Sequence, residues 1–162
     1  MDVKNKRVIV TGAASGIGKA LCEAFHQAEA KSVIAVDINL DGAQETADSV
    51  DGIAVKANVG NEKDIINLIE KADEHVGGID IFCSNAGIGG VPGFFEVKAS
   101  DWQNIWDVNV QSHIFAAKHV LPQMIERGEG YLVNTSSAAG LLTQLGAAGY
   151  SVTKAAAVSF AE

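Results

Sequence analysis

Short, β-branched apolar runs alternate along the chain with longer stretches in which apolar residues recur every three or four positions. The runs are RVIVT at 7–11, SVIAVD at 32–37, GIAVKANV at 52–59, IDIFCSN at 79–85 and YLVNTSS at 131–137. Each is apolar at odd and even positions alike, as strands are when helices cover both faces of a sheet. Between the first two runs, Ile17, Ala20, Leu21, Ala24, Phe25 and Ala28 make one helical stripe. The spacing predicts further helices over 41–50 and over 61–76, the latter capped by Asn61. A longer helix is predicted from Asp101 to Arg127, between start and stop signals at Ser100 and Gly128, with Pro122 bending or dividing it. Phe94 and Phe95 are expected to pack in the core rather than at a pocket edge. Strand then helix, repeated, implies an α/β fold with a doubly wound parallel sheet, because parallel strands need crossovers and right-handed crossovers put helices on both faces. In such a sheet ligands bind beyond the carboxyl ends of the strands.

Composition narrows the function classes. With 162 residues, 48% hydrophobic and 20% charged, the chain has the make-up of a single folded domain, residues 1–162. Its net charge of −8 speaks against a nucleic-acid partner, which needs clustered cations against phosphates. The apolar run Val8 to Val10 is too short for a signal sequence, and no stretch is long enough to cross a bilayer, so a cytoplasmic setting without a membrane partner is expected. Cys22 and Cys83 have no CxxC spacing and read as buried small hydrophobes. His26, His75, His113 and His119 form no HxxxH pair, so no metal site is expected.

The first strand leads into TGAASGIGKA, with glycines at 12, 16 and 18. The spacing is not GxGxxG, and Lys19 is followed by Ala20 rather than the hydroxyl residue of a phosphate-binding P-loop. A tight turn alone would explain three glycines about as well as a ligand would. Their place between a strand and a helix favours a ligand, because absent side chains let backbone N–H groups approach a pyrophosphate. Asp37 ends the second strand nineteen residues after Gly18, where a dinucleotide-binding fold sets the acid that meets the ribose hydroxyls. A carboxylate there repels a 2′-phosphate, and Ser15 and Ile38 offer no cation, so NAD is expected over NADP unless Lys19 or Lys31 reaches the site.

With these residues in place, the chain resembles the short-chain dehydrogenase/reductase family. TGxxxGIG is matched by Thr11, Gly12, Gly16, Ile17 and Gly18, NNAG by SNAG at 84–87, the helix asparagine by Asn109, and the serine and YxxxK by Ser137, Tyr150 and Lys154. The resemblance implies a Rossmann-type sheet and a cofactor held by Gly12, Ser15, Gly16, Ile17, Gly18, Asp37, Asn58, Val59, Asn85, Ala86, Gly87, Tyr150 and Lys154. Asn58 stands where the family often has Asp, facing the adenine, and Ser84 replaces the first Asn of NNAG. It further implies hydride transfer between nicotinamide and a small alcohol or carbonyl substrate. Tyr150 would be acid/base, Ser137 would hold the substrate oxygen, Lys154 would also bind ribose, and Asn109 would hold a water in a proton relay.

The physics of the pair is plain. A phenol with a reference pKa of about 10 is a poor base near neutrality. On a helix the i, i+4 spacing of Tyr150 and Lys154 puts both on one face, where an ammonium ~5 Å away favours phenolate by about 3 kcal/mol at an effective dielectric of ~20. Alone, YxxxK is more often an exposed amphipathic pair; Ser137, thirteen residues upstream, shifts the balance.

Members of the family continue beyond YxxxK, so the chain is expected to be the front portion of a full dehydrogenase, C-terminally incomplete, with the fifth strand as an open apolar edge. The competing expectations are an inactive nucleotide-binding fragment or interaction subunit, and an NADPH-dependent reductase. The resemblance also implies homo-oligomers, dimers or tetramers, at full length.

Overall fold

A computed structural model describes residues 2–90 and 92–162. Five strands, β1 (Arg7–Thr11), β2 (Ser32–Asp37), β3 (Ile53–Lys56), β4 (Ile81–Ser84) and β5 (Tyr131–Asn134), form one sheet in the order β3-β2-β1-β4-β5, every pairing parallel. Among the described residues five α-helices fill the four crossovers, α1 (Gly16–Gln27), α2 (Leu40–Ser49), α3 (Glu62–Val76) and the pair α4 (Ala99–Trp106) and α5 (Ser112–Arg127), and a sixth, α6 (Ala148–Ala161), follows β5. The fold is the doubly wound α/β sheet read from the sequence. Strand order reverses between β1 and β4, which opens a crevice at their carboxyl ends.

The alternation along β1 sorts its side chains between two cores. Ile9 joins Ile34, Phe82, Leu68 and Val120 on the face covered by α3 and α5; Val8 and Val10 join Val33, Ile81, Cys22 and Ala47 beneath α1 and α2. Removing a large side chain such as Ile9 or Phe82 from water contributes about 2 kcal/mol each. Cys22 and Cys83 are free and buried in the second core, and burial pushes both thiols up to about 12. Among the described residues, no helix is long and apolar enough to cross a membrane, and no group of three or more His, Cys, Asp or Glu residues is placed to hold a metal.

Several local readings need correction. The stripe read along α1 is only partly buried: Leu21 and Phe25 pack against the second core, whereas Ile17, 64% exposed, Ala20, Ala24 and Ala28 face outward, and the buried positions of the helix are Gly18 and Cys22. Phe94 and Phe95 are exposed and pack edge to face on each other, outside the core. The predicted long helix begins after Lys98 rather than Ser100, and Pro122 does not divide it. Pro122 lies on the exposed side of α5, as does Lys118, whose carbonyl it leaves without an N–H partner. The interruption falls instead at Asp107–Gln111, a π-helical turn between α4 and α5. Its extra residue rotates the helical face, so that Asn109 and His113 point inward while Trp106 is partly exposed.

At the amino end of β1 the sheet is tied by charge. The Arg7 side chain donates to both carboxylate oxygens of Asp80, at 2.8 and 2.6 Å, and the Arg7 backbone N–H adds a third bond at 2.9 Å. Arg127 stands 3.8 Å from the same carboxylate. These hydrogen bonds hold Asp80 down at about 2, against an ordinary 3.8. Because the folded value is depressed, the contribution to stability is complete above pH 3.8 and is lost as pH falls towards 2. Asp80→Asn is expected to destabilise the fold by about 2 kcal/mol at pH 7. Urea unfolding at pH 7 and pH 3 checks this: the gap between wild type and variant narrows at the lower pH, and equal stabilities at pH 7 would refute the role given to Asp80.

Candidate functional site

The carboxyl ends of β1, β4 and β5 meet in a cleft of about 470 Å³. Its walls include Gly12, Ser15, Gly16, Ile17 and Gly18 from the first turn, Asp37 from β2, Asn85, Ala86 and Gly87 after β4, and Tyr150 and Lys154 from α6. A second hollow of about 360 Å³ shares Gly12, Asp37, Ala86 and Gly87 with it and extends over Asn58 and Val59. Thirteen of the fifteen residues named from sequence therefore lie on one continuous groove; Asn109 and Ser137 stand off its wall.

Each glycine of the turn answers a different constraint. Gly16 has φ +53°, a left-handed conformation in which a side chain would be strained. A Cβ on Gly18 would lie 2.0 Å from the Gly12 carbonyl oxygen, so α1 can start against the turn only with glycine there. At Gly12 a Cβ would come within 2.9 Å of the Ala86 Cα, closing the gap between the β1 and β4 ends. Ser15 makes no side-chain cap, and the first N–H groups of α1 open onto the cleft. These residues fit a dinucleotide: bare backbone for a pyrophosphate, a carboxylate for ribose and a flanking hollow for a base.

Asp37 is more than a surface acid. Its carboxylate accepts the Ala14 N–H at 3.0 Å and the Asn39 N–H at 2.9 Å, which braces the glycine turn from β2. Asn58 turns its amide oxygen to the Gly60 N–H, 3.1 Å away, while its backbone N–H donates to Asp64. Neither Lys19 nor Lys31 lines the groove; the cations beside its Asn58 end are Lys56 and Lys71, in an adjoining hollow of about 460 Å³.

Tyr150 and Lys154 share the inner face of α6, with the Lys154 Nζ 5.8 Å from the phenol ring centre. Lys154 is 3% exposed and donates to the Thr135 carbonyl at 3.0 Å. Burial lowers its proton affinity below that of an ordinary lysine. Asn109, fully buried, clamps the loop after β4: its Nδ2 donates to the Ile88 carbonyl (2.9 Å) and to Thr153 Oγ1 (3.1 Å), and its Oδ1 accepts the Ile88 N–H at 2.9 Å. Ser137 Oγ accepts the Ala139 N–H at 3.2 Å and so caps the turn Ala138–Gly140. Ser136 rather than Ser137 reaches the groove wall, where its hydroxyl donates to the Lys154 carbonyl.

Sequence reasoning matched Thr11 to the glycine motif without giving it a role, and missed Thr135. Thr11 Oγ1 donates to the Cys83 carbonyl and accepts the N–H groups of Asn85 and Ala86, filling all three of its hydrogen-bonding positions. Thr135 Oγ1 donates to Asn85 Oδ1, while the Thr135 carbonyl holds Lys154. A threonine at a strand end has no signal of its own in sequence; its partners arrive from other strands.

Comparison with known proteins agrees with this geometry. Residues 6–162 match the short chain dehydrogenase family. An uncharacterized oxidoreductase of Staphylococcus aureus strain MRSA252 is 34% identical over 155 residues, 94% of this chain and 67% of the relative. The 3-oxoacyl-[acyl-carrier-protein] reductase FabG of Vibrio cholerae is 32% identical over 162 residues, 99% of this chain and 66% of the reductase. The crystal structure of a short chain dehydrogenase/reductase from Burkholderia phymatum in complex with NAD superposes with a TM-score of 0.95 at 28% identity, over 99% of this chain and 59% of that one. The chain thus spans about two thirds of the length of these curated relatives and 59% of the solved one. With the parallel sheet, the glycine turn and the family match in agreement, the chain belongs to the short chain dehydrogenases, a family of oxidoreductases.

Proposed function

We propose that this chain carries the dinucleotide site and the proton-transfer machinery of an NAD-dependent oxidoreductase that interconverts a small-molecule alcohol and its carbonyl. The observation that carries the reading is the meeting of Tyr150 and Lys154 with the glycine turn and Asp37 on one cleft. In the mechanism, Gly12, Ser15, Gly16, Ile17 and Gly18 present backbone to the pyrophosphate, Asp37 takes the adenosine ribose, Asn58 and Val59 flank the adenine, and Asn85, Ala86, Gly87 and Lys154 take the second ribose. Nicotinamide, when bound, supplies the hydride acceptor or donor.

Tyr150 removes the alcohol proton from the substrate oxygen, or returns it in the reduction. The Lys154 ammonium, held by the Thr135 carbonyl on the same face of α6, would offset the negative charge that develops on the Tyr150 oxygen as a proton moves. Its weakened hold on protons suits it to pass one onward. Ser137 keeps its own hydroxyl proton after accepting from Ala139 and would use it to donate a hydrogen bond to the substrate oxygen, with no proton transferred. Asn109 acts by fixing Ile88 and Thr153, which set the floor of the cleft and the inward face of α6, and it holds a water in the relay from Lys154.

The NAD preference rests on Asp37, whose carboxylate opposes a 2′-phosphate. Association through α5, where Ile125 is 72% exposed and Leu121 39%, completes the reading as a homo-oligomer.

Tyr150→Phe is expected to lower turnover about a hundredfold to ten-thousandfold while NAD affinity, followed by fluorescence titration, stays within about threefold. Undiminished turnover would sink the proposed chemistry. Asp37→Ala is expected to raise the NADP to NAD ratio of kcat/KM about tenfold, because removing the like charge relieves repulsion of a phosphate; an unaltered ratio would remove Asp37 from cofactor choice. Ile125→Glu is expected to shift the protein to monomer in analytical ultracentrifugation, and an unchanged mass would place any interface elsewhere.

A further inference from the structure

His113 is 2% exposed in the first turn of α5, one helical turn beyond Asn109. Its Nδ1 lies 3.1 Å from Asn134 Oδ1, so this nitrogen carries the proton and Nε2 is the acceptor. Nε2 is fully enclosed without a hydrogen-bond partner; among the described residues only Ser32 Oγ shares that condition. A buried unsatisfied polar atom costs about 1–3 kcal/mol, so an aliphatic side chain would serve packing better than imidazole does here. What the imidazole provides is the bond on its other side.

Asn134 is the last residue of β5, and the next residue, Thr135, presents the carbonyl that takes the Lys154 Nζ at 3.0 Å. Thr135 also reaches Asn85 through its hydroxyl. The Nδ1–H of His113 therefore grips the strand one peptide ahead of the lysine's acceptor. Burial, with the Lys154 charge as a second cause, pulls His113 down to about 4, against the opposing effect of its bond to Asn134. The imidazole stays neutral near pH 7 and keeps a single donor for Asn134. The polar and charged groups bearing on it are Asn134 from β5 and Lys154 from α6.

We propose that His113 is a positioning residue, which donates to Asn134 to set the Thr135 carbonyl under the Lys154 ammonium and so fixes the cation beside Tyr150. Its catalytic consequence rests on the function proposed above; its effect on Lys154 does not. Both are read from His113→Leu, His113→Asn and Asn134→Ala. The titration of Lys154 is followed by the ¹³Cε resonance of labelled lysine, assigned through Lys154→Arg, alongside kcat.

A displaced carbonyl stabilises the ammonium less, so His113→Leu and Asn134→Ala should lower the Lys154 midpoint by about half a pH unit or more. The same two changes should reduce kcat about tenfold. His113→Asn, whose amide can donate from the place of Nδ1, should return both towards wild type. The thermal midpoint of His113→Leu should not fall in step with kcat, since the change also removes the orphaned Nε2. If His113→Leu fails to fold, Asn134→Ala, at a half-buried position, decides the matter. A Lys154 midpoint that is unmoved in Asn134→Ala and in any folded His113→Leu, or that His113→Asn fails to restore, overturns the proposal. A midpoint that moves as expected in a protein without turnover would leave the positioning role standing and strike only the proposed reaction.

Discussion

The arrangement of the groove depends on a run of hydrogen bonds that ties three strand ends to one helix. Thr11 at the end of β1 holds the backbone of Asn85 and Ala86 after β4; Asn85 returns a bond from its amide to the Thr11 carbonyl and accepts the hydroxyl of Thr135 after β5; Thr135 takes Lys154 from α6. Parallel pairing alone keeps neighbouring strands about 4.8 Å apart but leaves the loops beyond them free to diverge. The side-chain relay removes that freedom where a ligand would lie. It also explains why glycine is needed at 12 and 18, since the strand and helix backbones drawn together there leave no volume for a Cβ.

Burial gives the relay its force. Lys154 is among the few charged side chains withdrawn from water, and it is held by one carbonyl rather than by a carboxylate. An ion pair would quench its field; a neutral acceptor satisfies one of its three donors and leaves the charge to act on neighbours. Desolvation weakens its grip on a proton. A buried cation beside a phenol can stabilise phenolate and still take part in proton exchange, which a surface lysine screened by water does less well.

The opposite end of the sheet carries charge of another kind. Arg7 and Asp80 are paired at short range with Arg127 nearby, so the carboxylate is satisfied and its influence stays local. Rigidity at the amino ends of the strands supports the carboxyl ends, where the polar groups are spent on loops and left open to a ligand.

The succession of runs and stripes was enough to read the five strands, the covering helices and the parallel sheet, because burial on both faces imposes apolar residues at odd and even strand positions. The Asn61 cap of α3 was equally legible, its signal lying within two residues, where the side chain accepts the Lys63 N–H. Thirteen groove residues could be named in advance through the resemblance of their motifs to the family's, and they share one groove because the topology carries strand ends and one face of a helix to the same place. Tertiary structure alone decided the rest. It turned Ile17 out to the cleft mouth and left Phe94 and Phe95 exposed, since side-chain fate depends on what packs opposite rather than on apolarity. It put the break of the long helix at Asn109 instead of Pro122: a proline on the wet side of a helix loses little, whereas a buried asparagine must find three partners and the π turn presents it to them. The roles of Thr11, Thr135 and His113 follow from partners 19 to 75 residues away in the chain, a separation across which no local pattern can speak.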